Sequence, residues 1–270
     1  MVFSPQLEAV SGLAEPSIMK SKQAILNDWG YRLLQLDDLT RLMNSAGSDK
    51  GFGLLGRHYY TRVYDKLLAP LRNQAITFVE IGLLRPDRDK RRVSNASEGA
   101  ARSAASSAPS LQAWREYFPK AKIIGFDIDD FSAVEIPGVI ILQGDMSNPA
   151  DLAKITEAAE GRIDVLIDDG SHVSHHQQIA FANLFPSIAS NGFYFIEDCH
   201  WQDARFERAD AIKTKDMFAA CRRGEGLRSP FVDLGRCDQL AASIASISFY
   251  DSIERGVDDT EDALCVIRKA

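Results

Sequence analysis

The amino-acid sequence predicts an α/β fold built around a mostly parallel β-sheet, and three observations support this prediction. Apolar runs rich in β-branched residues alternate with helical patterns, which is typical of parallel strands joined by right-handed crossovers. The five runs begin at Ile76, Ile123, Val139, Ile163 and Phe193. Acidic residues stand at the ends of these runs. Two further strand-like runs, Ile244–Tyr250 and Leu264–Ile267, predict an antiparallel hairpin that closes the sheet.

The overall composition fits one large α/β domain with an N-terminal extension, or two small domains. The chain has 270 residues, of which 45% are hydrophobic and 26% are charged, and its net charge of −7 argues against a general nucleic-acid-binding protein. No apolar run reaches the ~20 residues that would span a bilayer, and no secretory signal is visible. The four cysteines lack CxxC spacing, so we expect reduced thiols in a cytoplasmic protein.

Residues 1–72 form a predicted N-terminal helical segment. Apolar residues recur at helical spacing from Ile25 to Leu34 and again from Leu39 to Met43. The sequence Ser48-Asp49-Lys50-Gly51, called here the SDKG loop, interrupts this pattern, and a helix rich in polar and aromatic residues follows from His58. The density of His, Tyr and Thr in that helix favours a ligand-facing surface, whereas Tyr64 alone is expected to serve core packing.

Residues 73–270 form the predicted α/β domain, with an insertion at 85–110. The insertion begins with the charged run RPDRDKRR and continues with small polar residues, a composition typical of disordered segments. A helical apolar pattern resumes at Leu111. We therefore expect a disordered loop inside one domain, rather than a boundary between two domains.

Acidic side chains stand where the first three strands end. In a parallel sheet the carboxyl ends share one edge, and open α/β folds bind ligands there. A carboxylate beside a glycine, as in Glu80 and Gly82, is typical of nucleoside-binding domains, because the glycine allows a ligand to approach the backbone. We predict that Glu80, Gly82, Asp127 and Asp145 contact a nucleoside cofactor, with Asp145 close to its base.

A second set of acids follows the fourth and fifth strands, which should be neighbours. Asp169, Glu197 and Asp198 would repel one another unless a positive charge lay among them. Three oxygen ligands with open coordination positions suit a hard divalent cation such as Mg²⁺. The sequence therefore predicts a magnesium site formed by these three residues.

The histidines after Asp169 are candidates for acid–base chemistry. His172 could be an exposed residue at the start of a helix, but its position near the predicted metal favours a general base. His172 and His176 stand four residues apart, as zinc pairs do, although the glutamate of an HExxH motif is missing. We expect Asp168 to be a turn or cap residue and His175 to be solvated.

Together these motifs resemble the class I S-adenosylmethionine-dependent methyltransferases, in particular the metal-dependent macrolide-sugar O-methyltransferases of the macrocin and mycinamicin type. The similarity covers about two thirds of the chain, and DDGSH followed by IED is its most specific part. The matching stretches are SDKG (48–51), HYYTRVY (58–64), FVEIG (78–82), SLQAWREYFPKAKIIGFDID (110–129), QGDMSNP (143–149), DVLIDDGSHVSHH (164–176) and LFPSIASNGFYFIEDCHW (184–201).

The resemblance implies a Rossmann-like sheet with an N-terminal helical cap and a role for each matching residue. Asp169, Glu197 and Asp198 match the family's magnesium ligands, and His172 matches its catalytic base. Glu80 and Asp127 match acids of the S-adenosylmethionine site. The SDKG loop and Tyr64 fall where the family's N-terminal segment helps to shape the active site. The glycine-rich turn of the family is replaced here by Leu83-Leu84 and the insertion, with Ala108-Pro109-Ser110 at its end.

The resulting expectation is a magnesium-assisted O-methyltransferase that acts on a hydroxyl of a sugar or glycosylated small molecule. The same chemistry on a catechol-like phenol is an alternative, as is a cofactor-binding protein without turnover. Because family members form oligomers, a homo-oligomer is a further expectation, although the N-terminal segment is short for a second domain.

Overall fold

The computed structural model describes residues 36–52, 58–83, 108–200, 205–253 and 263–270. The predicted helical pattern from Ile25 to Leu34 and residues 85–107 of the predicted insertion lie outside these ranges. Asp38–Ala270 forms one compact unit, in which the SDKG loop and the aromatic helix pack with the sheet.

The described elements alternate between helix and strand along most of the chain. The α-helices are α1 (Asp38–Ala46), α2 (Thr61–Leu68), α3 (Pro109–Tyr117), α4 (Pro149–Ala158), α5 (Ser174–Leu184), α6 (Thr214–Arg222) and α7 (Leu234–Ala242). The strands are β1 (Thr77–Ile81), β2 (Lys122–Asp127), β3 (Val139–Gln143), β4 (Ile163–Asp168), β5 (Ile188–Ile196), β6 (Ile244–Tyr250) and β7 (Leu264–Lys269). Short 3₁₀ turns, Ala69–Leu71 and Phe185–Ser187, follow α2 and α5.

The seven strands form one sheet in the order β3-β2-β1-β4-β5-β7-β6. Strands β1 to β5 pair in parallel, and β7 pairs antiparallel with both β5 and β6. The predicted parallel sheet, the closing hairpin and the adjacency of the fourth and fifth strands are therefore confirmed. Because β1 lies between β2 and β4, the chain order reverses there, and open α/β sheets bind ligands at such a switch point.

Helices cover both faces of the sheet. Successive residues of a strand point to opposite sides, so apolar side chains emerge on both faces and pack against these helices. On one face Phe78 packs with Trp114 of α3 and Tyr64 of α2. On the other face Val79 belongs to the cluster that includes Phe181 of α5. All five side chains are fully or almost fully buried. The central strands therefore bury apolar side chains on both faces of the sheet.

Three details differ from the sequence-based expectation. The Asn191-Gly192 pair was predicted to precede the fifth strand but lies inside β5, where Asn191 has a left-handed φ of 64° and the register with β4 shifts. Helix α7 was not predicted, although its cap is local: the Asp233 side chain accepts the Arg236 N–H at 2.8 Å. Pro109 and Ser110, at the end of the predicted insertion, are buried in α3.

Among the helices that the structure describes, none combines the length and the hydrophobicity that crossing a membrane would require.

Candidate active site

The carboxyl ends of β1, β4 and β5 meet in one tight layer. The Asp169 N–H donates to the Ile81 carbonyl and the Glu197 N–H to the Asp168 carbonyl, each at 2.9 Å, so the sheet pairing continues past the strands. Gly82 has a φ of 88°, and a Cβ there would lie 2.0 Å from the Asp169 carbonyl oxygen. Only glycine fits this position, because both the conformation and the space exclude a side chain.

Three side chains converge at this edge with the spacing of metal ligands. Asp169, His172 and Asp198 each offer one ligand atom, and these atoms all lie within 4.8 Å of one another. His172 Nε2 is 3.7 Å from Asp198 Oδ2. All three residues are partly exposed, so the group is open to solvent. The sequence-based prediction placed Asp169, Asp198 and His172 at one site, and the structure brings them together.

Glu197, the third predicted metal ligand, is oriented differently. It is 2% exposed, and its Oε1 accepts the Tyr64 hydroxyl at 2.6 Å and lies 2.9 Å from the Lys50 ammonium. Burial raises the pKa of Glu197 well above its usual value, and the neighbouring Asp169 charge adds to this rise. Glu197 is therefore the inner acid of the edge, while Asp169 and Asp198 are the outer ones.

Three of the six non-glycine residues with a positive φ in the described part of the chain lie in or next to this group. His172 has a φ of 58° and Asp198 a φ of 54°, and Tyr59, next to the Tyr60 that contacts Asp198, has a φ of 55°. Non-glycine residues adopt this left-handed region only when the surrounding structure enforces it. Such strain clusters at functional sites, so the backbone independently marks this edge.

The N-terminal segment supplies donors to all three acids. Tyr60 donates its hydroxyl to Asp198 Oδ1 at 2.7 Å, and Lys50 forms an ion pair with Asp169 Oδ2. Burial works to raise the pKa of Asp198, but the nearby histidines and the Tyr60 hydroxyl outweigh it, and the net shift is downward. Asp198 is therefore held as an anion beside His172.

Sequence reasoning did not single out Lys50 or Tyr60 as site residues. The residue pattern assigned Tyr64 to core packing, whereas the family resemblance placed Tyr64 and the SDKG loop at the active site. Tyr64 does pack edge-on against Trp114 and Phe195, with ring centroids 5.7 and 4.9 Å away, and its hydroxyl reaches Glu197 as well. The signal for Lys50 was present, because the cluster of acids requires a cation.

The predicted cofactor acids have different surroundings. Glu80 is fully buried; its Oε2 accepts the Ser110 hydroxyl at 2.8 Å, and its Oε1 lies 3.5 Å from the Lys50 ammonium. Burial raises the pKa of Glu80 to about 7, although Lys50 and Ser110 act in the opposite direction. The structure thus joins Glu80 to the predicted metal acids through Lys50.

Asp127 and Asp145 bond to the backbone of nearby turns. Asp127 accepts the Leu83 N–H at 2.6 Å and the Asp129 N–H at 2.7 Å, and Asp145 accepts the Ser147 N–H at 2.8 Å. Ile128, directly after Asp127, is an apolar side chain that is 59% exposed at this edge. A nucleobase could cover such a surface, so the surroundings of Asp127 fit a nucleoside.

The remaining residues of the DDGSHVSHH stretch have structural partners. Asp168 is buried, its Oδ1 accepts the Gly170 N–H at 3.4 Å as expected of a turn residue, and burial raises its pKa to about 7. His175, predicted to be solvated, is partly exposed, and its ring lies beside His176 and Phe231. His176 Nδ1 is 2.8 Å from the Ser171 hydroxyl, and α5 begins only at Ser174, so His172 and His176 do not form a pair on one helix.

Comparison with known proteins identifies homologues of one kind, although no family model matches the chain. The chain is 38% identical over 152 residues to the 8-demethyl-8-alpha-L-rhamnosyl tetracenomycin-C 2'-O-methyltransferase of Streptomyces olivaceus, covering 56% of this chain and 35% of that protein. It is 34% identical over 176 residues to the Mycinamicin VI 2''-O-methyltransferase of Micromonospora griseorubida, covering 65% and 39% respectively. The chain thus spans little more than a third of the length of these relatives.

A solved methyltransferase structure is also similar to this chain in fold. The MycE methyltransferase of the mycinamycin biosynthetic pathway, in complex with Mg, SAH and mycinamycin VI, superposes with a TM-score of 0.61 at 25% identity. The alignment covers 87% of this chain and 55% of MycE. The chain therefore has the class I methyltransferase fold and, over the part of their length that it spans, is similar in sequence to the O-methyltransferases named for tetracenomycin, mycinamicin and macrocin.

Proposed function

We propose that the chain is an S-adenosylmethionine-dependent, magnesium-assisted O-methyltransferase that acts on a hydroxyl of a sugar or glycosylated small molecule. The observation that carries this proposal is the group formed by Asp169, His172 and Asp198 at the carboxyl edge of the sheet. A base beside two carboxylates is more than a binding protein needs. In this proposal residues 73–270 are the methyltransferase domain, and the segment before them caps its site.

The donor atoms of this edge fit magnesium. Asp169, Glu197 and Asp198 would hold the ion, since carboxylate oxygens are the ligands that Mg²⁺ prefers. Two of them, Asp169 and Asp198, are partly exposed at the opening of the site. When bound, the ion would supply Lewis acidity that lowers the pKa of the acceptor hydroxyl.

The other half of the edge fits the methyl donor. Asp127 would bind the ribose hydroxyls of S-adenosylmethionine, and the exposed Ile128 would lie against its adenine, with Asp145 close by. Gly82 keeps the backbone at the switch point free of a side chain. The cofactor supplies the methyl group that is transferred to the acceptor oxygen.

His172 would take the proton of the acceptor hydroxyl as general base. Asp198, whose pKa is lowered, lies 3.7 Å from His172 Nε2 and favours the imidazolium that results from proton uptake. The left-handed backbone of His172 sets the direction of its Cα–Cβ bond, and hence the side of the loop from which the imidazole projects.

A glycosylated acceptor is favoured by the relatives, one of which is named as a 2'-O-methyltransferase of an alpha-L-rhamnosyl tetracenomycin and another as a 2''-O-methyltransferase of mycinamicin VI. The net charge of −7 argues for a small molecule rather than a nucleic acid. A homo-oligomer, as the family resemblance implies, is part of the proposal.

The test is methyl transfer from labelled S-adenosylmethionine to a panel of glycosylated compounds and to their matched aglycones. We expect product only with the glycosides, loss of product with EDTA, and recovery when Mg²⁺ is added back. Transfer to aglycones would refute the sugar acceptor, and transfer that is indifferent to EDTA would refute the metal. Absence of transfer across the panel, together with measurable cofactor binding, would favour a binding protein.

A further inference from the structure

Lys50 is a buried cation in the middle of the acidic edge. It is 2% exposed, and its ammonium forms ion pairs with Asp169, with Glu197 at 2.9 Å and with Glu80 at 3.5 Å. The three carboxylates come from the ends of β4, β5 and β1, whereas the lysine comes from the SDKG loop outside the sheet. A buried ion is stable only when partners of opposite charge surround it, and Lys50 has three.

The SDKG loop is built to hold this lysine in place. Asn44 of α1 clamps the residue after the loop, because its side chain accepts the Phe52 N–H at 2.8 Å and donates to the Phe52 carbonyl at 2.5 Å. A Cβ on Gly51 would lie 2.1 Å from Asn44 Oδ1. The Thr61 N–H donates to the Lys50 carbonyl at 3.3 Å, which ties the loop to α2. The position of Lys50 is therefore fixed from both sides.

The charges around Lys50 indicate that it would influence the binding of the proposed metal. One ammonium contacts the carboxyl groups of Asp169, Glu197 and Glu80, and Asp198 lies beside them, so acidic groups outnumber the buried cation at this edge. Lys50 binds Asp169 through Oδ2 and Glu197 through Oε1, one oxygen of each residue. Asp169 also offers a ligand atom within 4.8 Å of those of His172 and Asp198, so it is the carboxylate at which the ammonium and a further cation would meet.

We propose that Lys50 is a built-in counter-ion, a positioning residue that holds Asp169 and Glu197 in place before a divalent cation binds and that moderates the affinity for that cation. This inference rests on the metal site of the proposed function. The ammonium and the metal share ligands, so they repel each other across a few ångströms, where charge–charge interactions are strong.

The substitution Lys50→Met tests the proposal, because methionine fills a similar volume without charge. The metal-free variant should melt at least about 5 °C below the wild type, because three buried carboxylates lose their cation. Its Mg²⁺ affinity, measured by calorimetry without acceptor, should rise roughly tenfold or more, because the repelling charge is gone. Added Mg²⁺ should therefore restore more thermal stability to this variant than to the wild type.

Two companion variants separate charge from structure. Lys50→Arg keeps the cation and should bind Mg²⁺ with near wild-type affinity. Lys66→Met removes the same charge from the exposed face of α2 and should leave both melting temperature and metal affinity unchanged. Magnesium affinity that is equal or weaker in Lys50→Met would overturn the proposal, because a lysine with a merely structural role predicts that result.

If Lys50→Met does not fold even with Mg²⁺, the proposal is tested on the wild-type protein by NMR. In protein labelled with ¹⁵N-lysine, Mg²⁺ should shift one ammonium resonance, the one missing from Lys50→Arg, and an unchanged resonance contradicts the proposal. Failure of the proposed function looks different, because the wild type would then bind no Mg²⁺ at all.

Discussion

The two halves of the sheet's carboxyl edge hold their acids by different means. At the β4–β5 half, Asp169 and Asp198 bond to the side chains of Lys50 and Tyr60, 119 and 138 residues away in the chain. At the β2–β3 half, Asp145 bonds to a backbone N–H only two residues away, and Asp127 does so as well, besides its bond to Leu83.

Side chains of the N-terminal segment thus hold the acids of the β4–β5 half in place, whereas backbone N–H groups hold the acids of the β2–β3 half. The β4–β5 acids depend on the N-terminal segment, so substitutions far away in the chain should alter their chemistry. The β2–β3 acids are held by backbone N–H groups, so substitutions of these acids should affect cofactor binding and leave the metal acids unchanged. Four substitutions test this contrast, ordered here by the size of the expected effect.

The largest effect is expected for His172→Ala at the β4–β5 half. Turnover should fall by ~10²–10⁴-fold, the usual contribution of a general base. Higher pH should restore part of the loss, because an acceptor that is deprotonated by solvent no longer needs the base. Initial rates across pH, together with calorimetric Mg²⁺ and S-adenosylmethionine binding, measure this. A loss of Mg²⁺ affinity in the variant would instead make His172 a metal ligand, as its distance to Asp169 and Asp198 allows.

Asp169→Asn should lose at least about 100-fold in activity at limiting Mg²⁺, because a charged oxygen ligand becomes a neutral one. The loss should shrink as Mg²⁺ rises and should respond little to pH, the reverse of His172→Ala. Rates over a Mg²⁺ titration at two pH values distinguish the variants. Wild-type activity at limiting Mg²⁺ would exclude Asp169 as a ligand.

Asp127→Ala tests the other half of the edge. S-adenosylmethionine affinity should fall by about 10–100-fold, because a hydrogen bond to a charged group is worth about 1.5–3 kcal/mol. Mg²⁺ affinity should not change, since the hydrogen bonds that Asp127 accepts from the Leu83 and Asp129 N–H groups involve no proposed metal ligand. Glu135→Ala, an exposed acid beyond β2, provides the control for charge. A parallel loss of Mg²⁺ affinity in Asp127→Ala would abolish the distinction between the two halves.

The sequence predicted the sheet and its acids because both leave local traces. Buried parallel strands appear in the sequence as apolar runs, and in a parallel sheet their carboxyl ends lie at one edge. The order of strands and helices along the chain was therefore enough to predict that Asp169, His172 and Asp198 lie close together. The Asn191-Gly192 pair was misinterpreted because a residue that accepts a left-handed φ serves a strand irregularity as well as a turn.

The partners of these acids could not be predicted in the same way. An ion pair between Lys50 and Asp169 spans 119 residues and creates no periodicity in the sequence. The same holds for Tyr64. The apolar pattern around it predicts that its ring is buried, but it does not predict that its hydroxyl donates to Glu197. Helix α7 was locally signalled by Asp233 and was missed for lack of a strong apolar pattern around it.

Tyr64→Phe should have the smallest effect and compares two tyrosines of one aromatic cluster. The ring keeps its packing against Trp114, but Glu197 loses a hydroxyl donor at 2.6 Å. The cost should be about 1 kcal/mol of unfolding free energy, the lower end for a buried acceptor, because Lys50 still serves Glu197. Urea unfolding with and without Mg²⁺ measures both this loss and its dependence on metal.

Tyr117→Phe is the matched control for that measurement. Tyr117 also packs edge-on against Trp114, and its hydroxyl donates at 2.8 Å to Asp65, which belongs to α2 and not to the acidic edge. Both variants should lose stability, but only Tyr64→Phe should change the stabilisation that Mg²⁺ provides. Of the two carboxylates that accept these hydroxyl groups, Glu197 is a proposed metal ligand and Asp65 is not. If the two variants respond alike to Mg²⁺, Glu197 acts solely as a structural partner of Lys50 and Tyr64, and the metal is held by the outer acids, Asp169 and Asp198.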